Sequence, residues 1–206
     1  MDKFIAQLPF LTPALLTLAA DMETFVRLEI EPTAIEERDV DARLREYVAT
    51  LAEAGVLRYA VADPGANLGV RALCLIREAL AYSSPLADLA FVMQGLGTYA
   101  ISQGAQEHVR DFWLSRVANG KAIAAFALTE PDAGSDVASI KTTAQRDGDS
   151  YVINGSKRFI SNAGIADFYT VFARTGTDAN GRAALSAFVV GAKMAGFSVI
   201  ERTSML

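Results

Sequence analysis

Two hydroxyl side chains and a glycine lie close together where an apolar run gives way to a polar turn, between residues 126 and 136. Thr129 can donate a hydrogen bond at the mouth of the predicted strand. The backbone at Gly134 and Ser135 can approach a phosphate closely because glycine has no Cβ, and the serine hydroxyl can donate to it. The spacing alone fits an anion-binding loop and, equally, an ordinary β-turn stiffened by Pro131.

A second segment places an aromatic ring and a hydroxyl at the end of a predicted hairpin. An Asn-Gly pair at 154–155 separates the apolar runs 151–153 and 158–160, and this pair is a strong signal for a two-residue turn. The return strand carries Phe159 and then Ser161. An aromatic ring can stack on a planar cofactor, and a nearby hydroxyl can reach the polar edge of that cofactor.

Three other features carry weaker signals. The stretch from Gly95 to Ala100 matches the dinucleotide fingerprint G-x-G-x-x-[GA], but it follows a helical pattern, so we interpret it as a helix end. His108 stands among charged residues, which favours a surface position, and Cys74 is interpreted as a small buried hydrophobe in a helix. With one cysteine and one histidine, the chain supports neither an internal disulfide nor a cysteine- or histidine-rich metal centre.

The charge is uneven along this chain of 206 residues, which has a net charge of −5 and a pI near 5.0. Residues 1–121 carry 11 basic and 16 acidic side chains, whereas residues 122–206 carry eight of each. This break predicts two domains that meet near residue 121. The acidic balance argues against a nucleic-acid partner, and a hydrophobic fraction of 51% argues for packed cores.

The apolar pattern changes from helical to strand-like at the same boundary. The predicted helices are Thr12 to about Ile30, about Asp39 to Glu53, Asn67 to about Tyr82, Ser84 to near Gly97, and Gln106 to Ala118 with an apolar face of Val109, Phe112, Trp113 and Val117. We expect Pro32 to end the first helix. The predicted strands are 122–128, 141–146, 151–153, 158–160, 168–173, 186–190 and 197–200. The fold class is α+β: an N-terminal all-helical domain, 1–121, followed by an antiparallel β-barrel or sandwich, 122–206.

Two uncharged runs bear on membrane association. Residues 4–20 lack the basic start of a signal peptide and are interrupted by Pro9 and Pro13, so we interpret them as the start of a capped helix. Residues 89–106 contain three glycines and several polar side chains, which suits a buried core helix better than a membrane span. We expect no membrane partner and a cytoplasmic protein.

Together, the segments 126–136 and 151–162, with Lys141-Thr-Thr-Ala144 between them, resemble the two signature blocks of the acyl-CoA dehydrogenase family. These are flavoenzymes that oxidise acyl-CoA thioesters, and the resemblance covers nearly the whole chain. It implies FAD as the cofactor, an acyl-CoA as the substrate, an electron-transferring flavoprotein as the electron acceptor, and a homo-oligomer.

The resemblance also implies roles for individual residues. Thr129 would bond near the reactive edge of the isoalloxazine, and Gly134 and Ser135 would lie at the diphosphate, with Ser135 also near the acyl-CoA. Phe159 stands where the family often has a tryptophan packed against the flavin, and Ser161 stands where a threonine or serine lies near flavin N5. The implied cofactor-binding set is Phe126, Leu128, Thr129, Gly134, Ser135, Phe159, Ile160 and Ser161.

The implied reaction is α,β-dehydrogenation, in which a carboxylate removes the α-proton while a hydride leaves the β-carbon for flavin N5. In the family that carboxylate lies on a second helical domain after the β domain, and this sequence stops inside the β domain. We therefore assign no catalytic residue here, and we expect Glu130 and Asp136 to have structural roles beside the loop. We expect a fragment, or a split protein that needs a partner chain.

Two alternatives to a dehydrogenase stay open. An acyl-CoA oxidase or a flavin monooxygenase of the same fold would use the same residues and differ in how oxygen reaches the flavin. A non-catalytic remnant would bind flavin or acyl-CoA, and substrate would not bleach its flavin. Short, branched, aromatic and alicyclic acyl groups are all compatible with these residues.

Overall fold

The computed structural model describes residues 7–34, 39–177 and 179–203. The chain divides into two compact units, Met1–Ile123 and Ala124–Leu206. The first unit is helical and the second is built on a five-stranded sheet, so the α+β fold class predicted from the sequence is confirmed. Within the described ranges, no helix is both long enough and apolar enough to cross a membrane.

The first unit is assembled around one long helix. Its helices are α1 Pro13–Phe25, a π-helical turn Val26–Ile30, α2 Glu31–Ala34, α3 Val40–Glu53, a 3-10 turn Val56–Tyr59, α4 Val70–Ser83, α5 Pro85–Gly104 and α6 Glu107–Ala118. α5 packs against α3, α4 and α6, and most of its side chains are buried, as predicted for a core helix. Asp39 caps α3 by accepting a hydrogen bond from the Ala42 N–H at 3.0 Å.

The first helix runs past Pro32, and the prediction that Pro32 ends it is wrong. In a regular α-helix the proline ring would collide with the carbonyl of Leu28. Here Val26–Ile30 widens into a π-helical turn, in which the Glu31 N–H donates to the carbonyl of Val26, five residues back. The wider turn accommodates the proline, so the chain stays helical through α2.

Two predictions for α4 are also wrong. The helix begins at Val70 with a glycine as its cap residue, so Asn67 does not cap it. Cys74 is exposed rather than buried, because the side chains three and four positions away, which share its helix face, are exposed too. The buried side of α4 is formed by Leu75, Ile76 and Leu80.

The last two helices differ from their predictions in length and in orientation. α5 continues beyond Gly97 to Gly104, and Gly95 within it allows a close approach of the neighbouring backbone. A Cβ at Gly95 would lie only 3.0 Å from the carbonyl oxygen of Ala60. In α6, Phe112 is 52% exposed instead of facing the core, and His108 is exposed as predicted. The buried residues of α6 are Leu114 and Val117.

The second unit contains one mixed sheet. Its strands are β1 Ala124–Ala127, β2 Thr143–Asp147, β3 Ser150–Asn154, β4 Phe168–Thr177 and β5 Ala183–Gly191. β1 and β2 pair with the long β4 in parallel, β5 pairs with it antiparallel, and β3 pairs antiparallel with β2. The sheet is therefore mixed, and its pairing departs from the predicted antiparallel barrel or sandwich at β1 and β2. Parallel pairing needs a long connection, and residues 128–167 supply it between β1 and β4.

The hairpin of this unit lies earlier in the chain than predicted. β2 and β3 join through a two-residue turn with Gly148 at φ +59°. The predicted turn at 154–155 is wrong: Asn154 is the last residue of β3, and residues 155–160 form no returning strand. Gly155 instead approaches Thr142 so closely that a Cβ would overlap the threonine. Residues 158–160 and 197–200, both predicted to be strands, lie outside the sheet.

Candidate functional site

β1 carries the first predicted segment to one end of the sheet. Its residues are buried except for Phe126, which is half-buried and whose ring centroid lies 5.1 Å from that of Phe172 on β4. Leu128 and Thr129 follow the strand directly and are half-buried as well. Phe126 is paired with β4 inside the sheet, and the pairing fixes the direction in which Leu128 and Thr129 leave the end of β1.

The loop after Thr129 folds back on itself and exposes its tip. The N–H of Glu130 donates to the carbonyl of Ala133 at 2.9 Å, and the N–H of Ala133 donates back at 3.3 Å. Gly134 and Ser135 come next and are exposed. A Cβ at Gly134 would meet no atom of the described chain within 4 Å. The backbone at Gly134 and Ser135, which we call the loop tip, is therefore open to an approaching anion.

The Glu130 carboxylate joins this loop to the start of β2. Glu130 is only 6% exposed, and its carboxylate accepts hydrogen bonds from the N–H of Lys141 at 2.6 Å and of Thr142 at 3.0 Å. A third donor is the Lys157 ammonium, which lies 2.7 Å from Oε1. Glu130 thus holds three separate parts of the second unit together.

These donors keep Glu130 ionised. Burial alone would raise the pKa of this carboxyl, but the Lys157 ammonium and the backbone N–H groups of Lys141 and Thr142 outweigh burial and lower the pKa to about 2. A carboxylate with a low pKa and three committed donors is a weak proton acceptor. Glu130 is therefore suited to a structural role and poorly suited to that of a general base.

A backbone hydrogen bond joins the second predicted segment to the first. The N–H of Arg158 donates to the carbonyl of Thr129 at 2.8 Å. Phe159 follows with φ +56°, a left-handed conformation that costs a residue with a side chain about 1–2 kcal/mol. The residue is 73% exposed, and the guanidinium carbon of Arg158 lies 4.6 Å from the centroid of its ring. A ring held outside the core by a strained backbone is available to stack on a planar ligand.

Asn162 holds the far end of this segment. It is 7% exposed, it adopts φ +66°, and its side-chain amide donates to the carbonyl of Ala124 on β1 at 2.9 Å. Its Oδ1 has no hydrogen-bond partner among the residues that the structure describes. Ile160 and Ser161, which precede it, are half-buried. Both ends of the run that contains Phe159 and Ser161 are thus tied to β1 or to the loop that follows it.

Lys157 and Asn162 contribute to this geometry and were not among the predicted site residues. Lys157 is separated from Glu130 by 27 positions, and Asn162 from Ala124 by 38. No local pattern connects positions so far apart, because tertiary contacts in the sheet unit bring them together. The available sequence signal was their placement on either side of the aromatic and hydroxyl residues.

The groups in this region are of the chemical types that can bind a flavin dinucleotide. An exposed aromatic ring is present for a planar ring system, and Thr129, Ser135 and Ser161 supply hydroxyl donors. The open backbone at Gly134 suits a diphosphate. The structure brings Thr129 directly to the segment of Phe159 and Ser161, and it sets Gly134 and Ser135 further along the same loop.

Known proteins similar to this chain are named as dehydrogenases of acyl-CoA thioesters. It is 39% identical to cyclohexane-1-carbonyl-CoA dehydrogenase of Geobacter metallireducens over 62% of this chain and 33% of that protein. It is 34% identical to an acyl-CoA dehydrogenase of Bacillus subtilis over 88% of this chain and 48% of that protein. A glutaryl-CoA dehydrogenase of Mycobacterium smegmatis, solved in complex with FADH2, matches with a TM-score of 0.74 and 29% identity over 91% of this chain and 48% of that one.

The chain thus spans less than half the length of these relatives. Family models account for nearly all of it. The acyl-CoA dehydrogenase N-terminal domain matches residues 12–121, and the acyl-CoA dehydrogenase middle domain matches residues 125–205. The first match alone covers more than half of the chain. The chain therefore belongs to the acyl-CoA dehydrogenase family.

Proposed function

We propose that this chain supplies the flavin-binding part of an FAD-dependent enzyme that dehydrogenates an acyl-CoA thioester. One observation carries the proposal: the backbone hydrogen bond from the Arg158 N–H to the Thr129 carbonyl joins the segment of Thr129 to the segment of the exposed, strained Phe159. Family membership and the FADH2 complex of a relative support FAD as the ligand. The relatives' names include cyclohexane-1-carbonyl and glutaryl thioesters, so the proposal covers the CoA thioester class and leaves the acyl group open.

Each predicted residue has a role in this proposal. Phe126, Leu128 and Ile160 contribute apolar surface beside the flavin, and the Phe159 ring stacks on it. Thr129 and Ser161 donate hydrogen bonds to its polar edge. At the loop tip, Gly134 and Ser135 hold the diphosphate, and Ser135 also lies near the acyl-CoA. The proposed cofactor-binding set is Phe126, Leu128, Thr129, Gly134, Ser135, Phe159, Ile160 and Ser161.

The chemistry divides between the cofactor and the protein. When bound, FAD supplies the acceptor for the hydride that leaves the β-carbon of the substrate. The residues of this chain bind and orient the cofactor, and their donors stabilise charge on its polar edge. The general base is not assigned to any residue here, and the low pKa of Glu130 agrees with a structural role for that carboxylate. An electron-transferring flavoprotein as acceptor, a homo-oligomer, and a cytoplasmic location stay predictions from the sequence.

Titration of the cofactor-free chain with FAD tests the proposal. We expect saturable quenching of flavin fluorescence, weakened about tenfold by Ser135→Ala, since a hydrogen bond to a charged group is lost. Ser139→Ala is the matched control, because Ser139 is an exposed serine a few residues further on that bonds to Asp136. Absence of FAD binding by the chain would contradict the proposal.

Activity assays separate the remaining alternatives once flavin is bound. Bleaching of the flavin by an acyl-CoA without oxygen consumption supports a dehydrogenase. Oxygen consumption with an acyl-CoA would indicate an oxidase or a monooxygenase of the same fold. Because no residue of this chain is assigned as the general base, these assays are run together with the protein part that supplies it. A flavin that binds under those conditions and is not bleached by any acyl-CoA would indicate a binding remnant.

A further inference from the structure

The Lys157 side chain reaches two acceptors in the loop that follows β1. Its Nζ donates to the carbonyl of Leu128 at 3.0 Å and to Oε1 of Glu130 at 2.7 Å. The side chains of this ion pair are 10% and 5% exposed, so water competes little for either charge. The ion pair between Lys141 and Asp132 is equally short, at 2.8 Å, but its side chains are 73% and 69% exposed.

Holding the carbonyl of Leu128 also orients the residue that follows it. A trans peptide is planar, so the C=O of Leu128 and the N–H of Thr129 form one rigid unit and point in opposite directions. The next peptide is held as well, because the carbonyl of Thr129 accepts from the N–H of Arg158. With the peptide planes on both sides of Thr129 held, the direction of its Cα–Cβ bond is fixed.

Apolar side chains of similar volume could stabilise the fold about as well as a buried ion pair does. Removing two charges from water is costly, and apolar residues of similar volume are often as stabilising. Charge-assisted hydrogen bonds differ from apolar contacts because they impose a direction on their partners. The distinctive contribution of Lys157 and Glu130 is therefore the orientation of the residues between Leu128 and Glu130.

We propose that Lys157, held by Glu130, is a positioning residue that orients Thr129 toward the flavin. The inference rests on the proposed function, because it takes Thr129 as a cofactor contact. In this proposal Lys157 acts through the Leu128–Thr129 peptide: two of the three donors of its ammonium are committed to Leu128 and Glu130, and its side chain is only 10% exposed.

A double-mutant cycle on FAD binding tests this dependence. Lys157→Met and Thr129→Ala should each weaken FAD binding about tenfold. The double variant should bind FAD about as well as Thr129→Ala alone, because the two residues act through one contact. Lys193→Met removes an exposed lysine from the same unit and should leave the dissociation constant unchanged. Fully additive losses would overturn the inference.

Lys157→Met leaves the Glu130 carboxylate buried without its cation and could fail to fold. The variant Glu130→Gln/Lys157→Met keeps an acceptor for the two backbone N–H groups and removes both charges. We expect it to fold, to bind FAD about tenfold more weakly, and to shift the visible flavin absorption band. Normal binding and an unchanged band in this variant would also overturn the inference.

Amide hydrogen exchange of the cofactor-free chain gives a result that does not depend on FAD. In the variant Glu130→Gln/Lys157→Met, we expect faster exchange at residues 129–133 and unchanged exchange in β4 and β5. If the unmodified chain binds no FAD, the proposed function fails, and the exchange rates alone decide whether Lys157 orders this loop. Unchanged exchange at 129–133 would then refute the positioning role.

Discussion

Phe159 pairs an unfavourable backbone conformation with an unusually exposed aromatic ring. Its φ of +56° is one that glycine adopts freely, and 73% of the residue is open to solvent. A ring that is so exposed contributes little to folding, so stability alone does not account for the strain. Strained residues of this kind concentrate at functional sites, where the surrounding structure holds them in place. The hydrogen bond of Arg158 on one side and that of Asn162 on the other supply this constraint.

Replacing Phe159 by glycine and, separately, by alanine distinguishes the effect of backbone strain on stability from the effect of ring stacking on FAD binding. We expect Phe159→Gly to be about 1 kcal/mol more stable than Phe159→Ala, because only glycine adopts the positive φ without cost. FAD binding should fall equally in both variants, by about tenfold, because both lose the ring. Urea unfolding of the cofactor-free chain and FAD titration measure the two effects. A glycine variant that binds FAD as well as the original chain would show that the ring does not stack on the flavin.

At the scale of elements, the connections between β1, the loop after it and residues 157–162 depend on one buried carboxylate. The Glu130 carboxylate accepts hydrogen bonds from backbone N–H groups just before β2 and from Lys157, so it joins segments that are distant along the chain. Its folded-state pKa of about 2 lies below the ordinary value of 4.5. The ionised form therefore stabilises the fold at pH values above 4.5, and this contribution is lost as the pH falls toward 2.

Glu130→Gln tests the acid sensitivity of the second unit. At pH 7 we expect the variant to be roughly 2–3 kcal/mol less stable than the original chain, because the charge-assisted hydrogen bonds are lost. Between pH 4.5 and pH 2 the original chain should lose this advantage and the two curves should converge. Urea unfolding across this pH range measures the difference in stability between the two chains. Asp132→Asn, at an exposed ion pair, should change stability by less than about 1 kcal/mol, and an equal effect in both variants would refute the role of burial.

Local signals were enough to predict the helices and the main strands, and they failed where contacts between distant residues determine the structure. The helix at Asp39 was predictable because its cap lies next to it in sequence. The Asn-Gly pair at 154–155 looked like a hairpin turn, but Asn154 pairs with Thr143 at the end of β3 and Gly155 lies against Thr142, a contact across the hairpin that no local pattern shows. The parallel pairing of β1 with β4 and the bond from Lys157 to Glu130 likewise depend on tertiary contacts that no local pattern records.

For the whole molecule, the division of charge follows the division into structural units. The residues up to the boundary carry the net negative charge, and the sheet unit after it is close to neutral. FAD is anionic through its diphosphate, so a neutral unit repels it less than an acidic one would. Every residue in the proposed cofactor-binding set lies in the second unit, Ala124–Leu206. Binding of FAD should therefore slow amide hydrogen exchange most strongly in that unit.

Hydrogen exchange with and without saturating FAD tests this localisation. At a concentration one hundred times its dissociation constant, a ligand that binds only the folded state stabilises it by about 2.7 kcal/mol. We expect slower exchange at residues 128–136 and 158–162, and in the β1 and β4 amides that support them. The core helix α5 should change least, because it contributes no residue to the proposed set. Riboflavin, which lacks the adenylate and both phosphates, is the matched ligand: it should protect residues 158–162 and leave Gly134 and Ser135 unprotected. Protection that is greater in α5 than in the loop 128–136 would move the flavin site out of the sheet unit.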